Sequence, residues 1–287
     1  MQQLLHEWAG LLSTLPRKSL GLAAWLVALA LVFGLLERWR PVRPAQRFPR
    51  RDLAADVIYY FLSGLLPAFA VAAATVAFAW LLGGLIPASL LNWVAGLPLW
   101  LRIVLLIVVG DTAYYWTHRW SHELPLLWKF HLIHHSPTEL DWLVNTRAHP
   151  IDLALARVLP LLPLLAFGLR QPASRDMETA AAVYVALTTV WAFFVHANVR
   201  VRLGWLEQLI ITPAFHHWHH HNERSAALGR NYASLLPWLD RLFGTYHLPK
   251  ELPSAYGAAD ALPSTLGGQL LSPFRPRRGS PVTTGPD

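Results

Sequence analysis

Five apolar stretches dominate the chain: residues 20–36, 53–91, 97–116, 151–169 and 179–195. A helix that crosses a bilayer needs about 20 apolar residues, because backbone polar groups in lipid must bond within their own segment. Each stretch therefore predicts membrane helix, and the chain reads as all-α. The stretch 53–91 is too long for one crossing. It reads either as one tilted helix followed by an interfacial piece, or as a hairpin broken near Gly83 and Gly84. Pro160 and Pro163 fall inside the fourth stretch and predict a kink.

Composition strengthens the membrane reading. Apolar residues make up 54% of the chain and charged residues 14%, against about 25% charged in a soluble domain. Fourteen Trp and eight Tyr suit the aromatic belts found where helices meet the lipid headgroups. Cysteine is absent. That excludes disulfides, iron–sulfur clusters and thiolate nucleophiles, and leaves His, Asp and Glu as metal ligands. The net charge of +7 sits beside apolar stretches, so it reads as topology and no nucleic-acid partner is expected. The densest basic loop carries Arg38, Arg40, Arg43, Arg47, Arg50 and Arg51, which predicts that it is cytoplasmic. If 53–91 crosses once, the N-terminus is outside and every histidine-rich stretch falls on the cytoplasmic face. Residues 1–20 carry Glu7 and no charged start, and do not read as a secretory signal. The Pro-, Gly- and Arg-rich tail, assigned to residues 250–287, reads as disordered.

Thirteen of the fourteen histidines follow residue 117. His118 and His122 are spaced i, i+4, so on a helix both rings reach one centre. His131, His134 and His135 repeat that logic with H-x-x-H-H spacing, and so do His216, His219 and His220. A lone histidine near an interface is usually a satisfied polar residue. Three clusters at ligand spacing point instead to metal. One transition ion rarely takes more than six ligands, so eight spaced imidazoles, with His149 and His196 as additions, call for two ions. Imidazole suits Fe, Zn, Cu and Ni. An acid inside an apolar stretch is costly and marks function. Asp111 is therefore the candidate catalytic carboxylate, expected to accept a hydrogen bond from the second nitrogen of a ligating imidazole. Glu123, Asp141, Asp152, Glu223 and Asp240 are further acids for which surface or capping roles are at least as good a reading.

The stretches DTAYYWTHRWSHELPLLWKFHLIHHSP, NTRAHP, FFVHANV, TPAFHHWHHH and NYASLLPWLDRLFGTYHLP resemble the fatty acid hydroxylase superfamily, which includes sterol desaturases and alkylglycerol monooxygenase-like proteins. The resemblance covers about residues 97–249. Its ligand pattern maps onto His118, His122, His131, His134, His135, His196, His216, His219 and His220, and His149 sits where related members also carry His. It implies an integral membrane bundle of about four transmembrane helices with a cytosolic helical cap holding a histidine-rich di-metal site. It further implies two Fe ions, replaceable by Zn in purified protein, O2 as co-substrate, and hydroxylation or desaturation of a lipid drawn from the bilayer. Residues 1–96 form the N-terminal transmembrane region in this reading.

No G-x-G-x-x-G or haem-attachment pattern is present, so electrons are expected from an external donor: a reductase, ferredoxin or cytochrome. The expected location is a bacterial inner membrane, multi-pass, with the histidine site facing the cytoplasm. Two other readings compete. A zinc-dependent membrane hydrolase needs a carboxylate base set between histidines, which the spacing lacks. A metal transporter or sensor places ligands near the middle of its spans, whereas these lie at span ends.

Overall fold

The computed structural model describes residues 2–46, 48–170, 175–222, 229–258 and 262–275. Among the described residues the fold is all-helical, with two isolated backbone bridges, Pro41 to Val199 and His221 to Tyr256, and no strand. Four helical segments are long and apolar enough to cross a membrane: Trp8–Trp39, Leu53–Leu81, Leu99–Glu123 and Arg175–His196. They belong to α1 (Gln2–Trp39), the pair α2 (Leu53–Leu65) and α3 (Pro67–Leu81), α5 (Leu99–Glu123) and α8 (Arg175–His196). In the first two, only 11% of the most apolar window is buried. Leu20, Trp25 and Trp80 face outward, so these helices turn apolar side chains to lipid.

The ambiguous stretch resolves by length. Leu66 stays helical between α2 and α3, and Pro67 opens α3 at a position where its missing N–H costs nothing. The chain then turns through Gly83–Leu85 and forms α4 (Ala88–Gly96), whose nine residues are too few to cross. One crossing plus a short helix is what forms, as in the first of the two readings. The fourth stretch becomes α7 (Pro150–Ala166), 17 residues with Pro160 and Pro163 inside it. It packs on α3 and α5 within the bundle, where Leu164 joins Leu106, Met177 and Ala180 in one core.

The cap covers one end of this bundle. It comprises α6 (Pro125–His135), the tight turns Trp142–Thr146 and Gly204–Gln208, α9 (Pro213–His219) and α10 (Pro237–Leu242). Buried Phe33 and Tyr60 pack against Trp142 and Phe193, while Tyr115, Val195, Phe215, Tyr232 and Leu239 form a second core beneath α9 and α10. The C-terminal ends of α1, α5 and α8 and the N-terminal ends of α2 and α7 all meet the cap.

The tail differs from the disordered expectation. Residues 276–287 lie outside the described residues, but α11 (Leu266–Leu271) forms with Thr265 capping the Gly268 N–H. Tyr59 donates to the Gln269 side chain at 3.0 Å, and Phe274 packs on Phe130 at 5.6 Å. Composition averaged over the tail hides these two anchors, each of which finds a buried partner.

Candidate metal centre

Nine histidines converge at the bundle–cap junction in two adjoining groups. His118, His122, His131, His135 and His219 form one, and His134, His196, His216 and His220 form the other. Within each group the ligand atoms lie within 4.8 Å of one another. Helical geometry explains the partition. At about 100° per residue, positions i and i+4 share a face while i+3 points about 60° to the other side. On α6, His131 and His135 therefore serve the first group and His134 the second. On α9 and the residue beyond it, His216 and His220 serve the second group and His219 the first. The groups share a wall, since the rings of His135 and His220 stack with centroids 4.4 Å apart.

Hydrogen bonds fix which nitrogen faces inward. Nδ1 of His118 contacts the Tyr232 carbonyl at 2.8 Å, that of His134 the Arg147 carbonyl at 3.2 Å, that of His196 the Ala192 carbonyl at 2.7 Å and that of His219 the Arg230 carbonyl at 2.8 Å. A carbonyl cannot donate, so Nδ1 carries the proton and Nε2 holds a lone pair. Nδ1 of His131 lies 3.0 Å from Asp152 Oδ2 in the same arrangement. The inward nitrogens then oppose one another. Nε2 of His196 lies 3.3 Å from Nε2 of His134, both being acceptors, and 2.9 Å from Nε2 of His216. Nε2 of His118, Nε2 of His131 and both ring nitrogens of His122 are buried without a hydrogen-bond partner. Burial, then neighbouring imidazoles, hold His134, His135, His216 and His220 well below the usual histidine range, and burial pushes His219 down to about 3. Facing lone pairs that resist protonation are a poor arrangement for an empty protein and a good one for a bound cation. The donor set fits two divalent transition ions.

Three expectations change. His149 stands outside both groups. Its Nδ1 accepts the Ile151 N–H at 3.0 Å and caps α7, while Nε2 faces the Leu270 carbonyl at 3.1 Å. Among the described residues Asp111 makes no hydrogen bond to an imidazole. Its carboxylate accepts from the Ser234 hydroxyl at 2.6 Å and from the backbone N–H groups of Ser234, Leu235 and Leu236 at 2.7–3.2 Å. The carboxylate that braces a ligand directly is Asp152. The rule that singled out Asp111, an acid within an apolar stretch, applies to Asp152 as well.

Asp141 caps the turn that follows it and binds Arg50 through both oxygens, at 2.6 and 2.7 Å. Arg50 also binds Asp56, and Arg147 binds Asp56 and Asp52. Arg50 of the basic loop is thus buried in an ionic network whose Arg147 carbonyl aims His134. Glu123 pairs with Arg119 at the surface, and Glu223 lies outside the described residues. His217 binds Tyr256 and the Ala197 carbonyl, and His247 meets Arg230.

Four apolar helical spans under a cap that gathers nine imidazoles define the class: a membrane helical bundle with two adjoining histidine groups at metal-ligand spacing. The sequence comparisons are specific about the family. Residues 103–245 match the fatty acid hydroxylase model, so the chain carries a fatty acid hydroxylase domain. It is 33% identical over 184 residues to the ornithine lipid hydroxylase OlsE of Rhizobium tropici, covering 63% of this chain and 53% of that protein. It is 30% identical over 141 residues to human alkylglycerol monooxygenase, covering 49% of this chain and 29% of the relative. A Delta(7)-sterol 5(6)-desaturase of Aspergillus fumigatus is 26% identical over 207 residues, 64% of this chain and 58% of that protein. The chain thus spans about half the length of the ornithine lipid hydroxylase and less of the alkylglycerol monooxygenase. No solved structure matches it.

Proposed function

We propose that this chain is a membrane-bound, O2-dependent di-iron oxidoreductase that hydroxylates or desaturates a lipid. The observation that carries the reading is the pair of imidazole groups with opposed Nε2 lone pairs, placed where the spanning helices meet the cap. Bound iron would supply activation of O2 for attack on an unactivated C–H bond. The chain's own contribution is to hold nine imidazoles in two groups, keep water from the centre by burial, and present the site where the spanning helices meet the cap. His118, His122, His131, His135 and His219 would hold one ion, and His134, His196, His216 and His220 the other.

Lipid-modifying relatives favour a lipid substrate, whether ether lipid, fatty acyl, sterol or carotenoid. An external reductase, ferredoxin or cytochrome would supply electrons. The basic loop after α1 lies at the same end as the histidines, which favours a cytoplasmic site in a bacterial inner membrane. Zinc-dependent hydrolysis would need a carboxylate base at the metals, and among the described residues both groups contain histidine only. The test is lipid profiling of cells with and without the protein under 18O2. Hydroxylation predicts a lipid carrying one 18O atom, and desaturation predicts an unlabelled lipid with one more double bond. A lipid profile that is unchanged by the protein contradicts the proposal.

A further inference from the structure

The C-terminal half of the cap contains a short strap, residues 230–236, that touches the metal centre through two carbonyl oxygens and through the Tyr232 ring, which packs on His118, His122 and His219. The Arg230 carbonyl accepts from His219 Nδ1 and the Tyr232 carbonyl from His118 Nδ1, both at 2.8 Å. Both of these imidazoles belong to the five-histidine group. Asn231 lies between the two carbonyls in the left-handed region, with φ of 60°. Its side chain donates to the Phe215 and His247 carbonyls and accepts the His247 N–H.

Two buried carboxylates from separate helices hold the strap. Asp240 on α10 accepts the Tyr232 N–H at 2.7 Å and the Thr245 hydroxyl at 2.7 Å through Oδ1, and the Ala233 N–H at 3.0 Å through Oδ2. Asp111 on α5 accepts the Ser234 hydroxyl and N–H through Oδ1 and the Leu236 N–H at 2.7 Å through Oδ2. Asp111 is 2% exposed and Asp240 is fully buried. Every donor aimed at them is an N–H or O–H, so a carboxylate with two accepting oxygens fits and an amide does not. An asparagine at either position would turn an N–H donor toward another N–H. The four-histidine group is aimed by other parts of the chain: His134 by the Arg147 carbonyl and His196 by the Ala192 carbonyl.

We propose that Asp111 and Asp240 are positioning residues for the five-histidine group alone, acting through the strap to set the proton position and aim of His118 and His219. This rests on the reading that each group holds one metal ion. Loss of either carboxylate loosens one half of the centre and leaves the other intact. Partners of ligand imidazoles typically change metal affinity by about 10- to 100-fold, and that is the weakening expected at the five-histidine group.

The experiment uses the full chain in detergent, loaded with Fe(II) or Zn(II) alone and passed through a mild chelator. Metal per chain is measured beside helix content and thermal unfolding. Wild type is expected to retain two ions, and Asp240→Asn and Asp111→Asn one each. Combining Asp240→Asn with His122→Ala, in the same group, leaves one ion. Combining it with His220→Ala, in the other group, leaves none. Thr245→Val strips one donor from Asp240 without changing the carboxylate, and is expected to weaken only the ion of the five-histidine group, so the test survives if an Asn variant does not fold. A folded Asp240→Asn that keeps both ions at wild-type affinity overturns the proposal. So does equal weakening of both ions, which would mark a general structural role. Wild type that does not hold two ions would instead defeat the two-metal reading itself.

Discussion

Asp141 offers a quantitative test of how the basic loop is built into the fold. Its carboxylate grips Arg50 with two hydrogen bonds of 2.6 and 2.7 Å, and both side chains are under 10% exposed. It also accepts the Leu143 and Val144 N–H groups, starting the turn that leads to Arg147 and so to the carbonyl that aims His134. Removing one member of a buried ion pair costs about 3–5 kcal/mol, because the remaining charge is stranded. Loss of the cap adds about 1 kcal/mol. Asp141→Ala is therefore expected to cost about 4–6 kcal/mol. Asp52 is the internal control. It also binds an arginine of this network, at 3.0 Å, but its side chain is 43% exposed, so Asp52→Ala is expected to cost less than about 1 kcal/mol. Denaturant titration of both variants in mixed micelles gives the comparison. An Asp141→Ala cost within about 1 kcal/mol of wild type, or an equal cost at Asp52, refutes the claim that the buried network organises this end of the bundle.

Other perturbations have defined outcomes. His149→Gln should leave metal content unchanged and lower stability by about 1 kcal/mol through its helix cap; a lost ion on metal analysis would restore His149 as a ligand. A Cβ at Gly110 would overlap the Tyr184 hydroxyl, with Cζ at 2.8 Å, so Gly110→Ala should destabilise by about 1–3 kcal/mol and Tyr184→Phe should recover part of it, read by thermal unfolding. Metal-free protein should lose stability on acidification. Histidines held below the usual range in the fold bind protons mainly on unfolding, so stability is complete above the unfolded value near 6.5 and falls as pH drops through it toward the depressed folded values. Unfolding temperature measured between pH 8 and pH 5 should therefore be flat and then decline, and a rise on acidification would contradict the burial.

Much of this was legible in the chain because lipid imposes simple rules. Length of apolar run marked 53–91 as more than one crossing helix while leaving a helix plus interfacial piece and a hairpin both open, and i, i+4 spacing placed His118 with His122 and His131 with His135. Spacing sets i+3 apart from the i, i+4 face, but that each H-x-x-H-H motif would divide between two groups was not read from it, since that also depends on where α6 and α9 sit relative to α5 and α8. His149 lies outside both groups and caps α7, and a histidine that caps a helix and one that binds metal look alike in sequence. Asp111 is buried, but its partners are the Ser234 hydroxyl and three backbone N–H groups more than 120 positions away, and backbone carries no sequence signal. The carbonyls of Arg147, Arg230 and Tyr232 escaped for the same reason.

The most direct measurement is the number of iron ions held per chain after purification from iron-supplemented membranes, by elemental mass spectrometry against quantitative amino-acid analysis. Two imidazole groups of five and four members predict two ions per chain, falling to one when either His122 or His220 is replaced by alanine. A folded wild-type chain that holds a single ion, or one whose two ions leave together in both variants, would contradict a centre built from two separately braced halves.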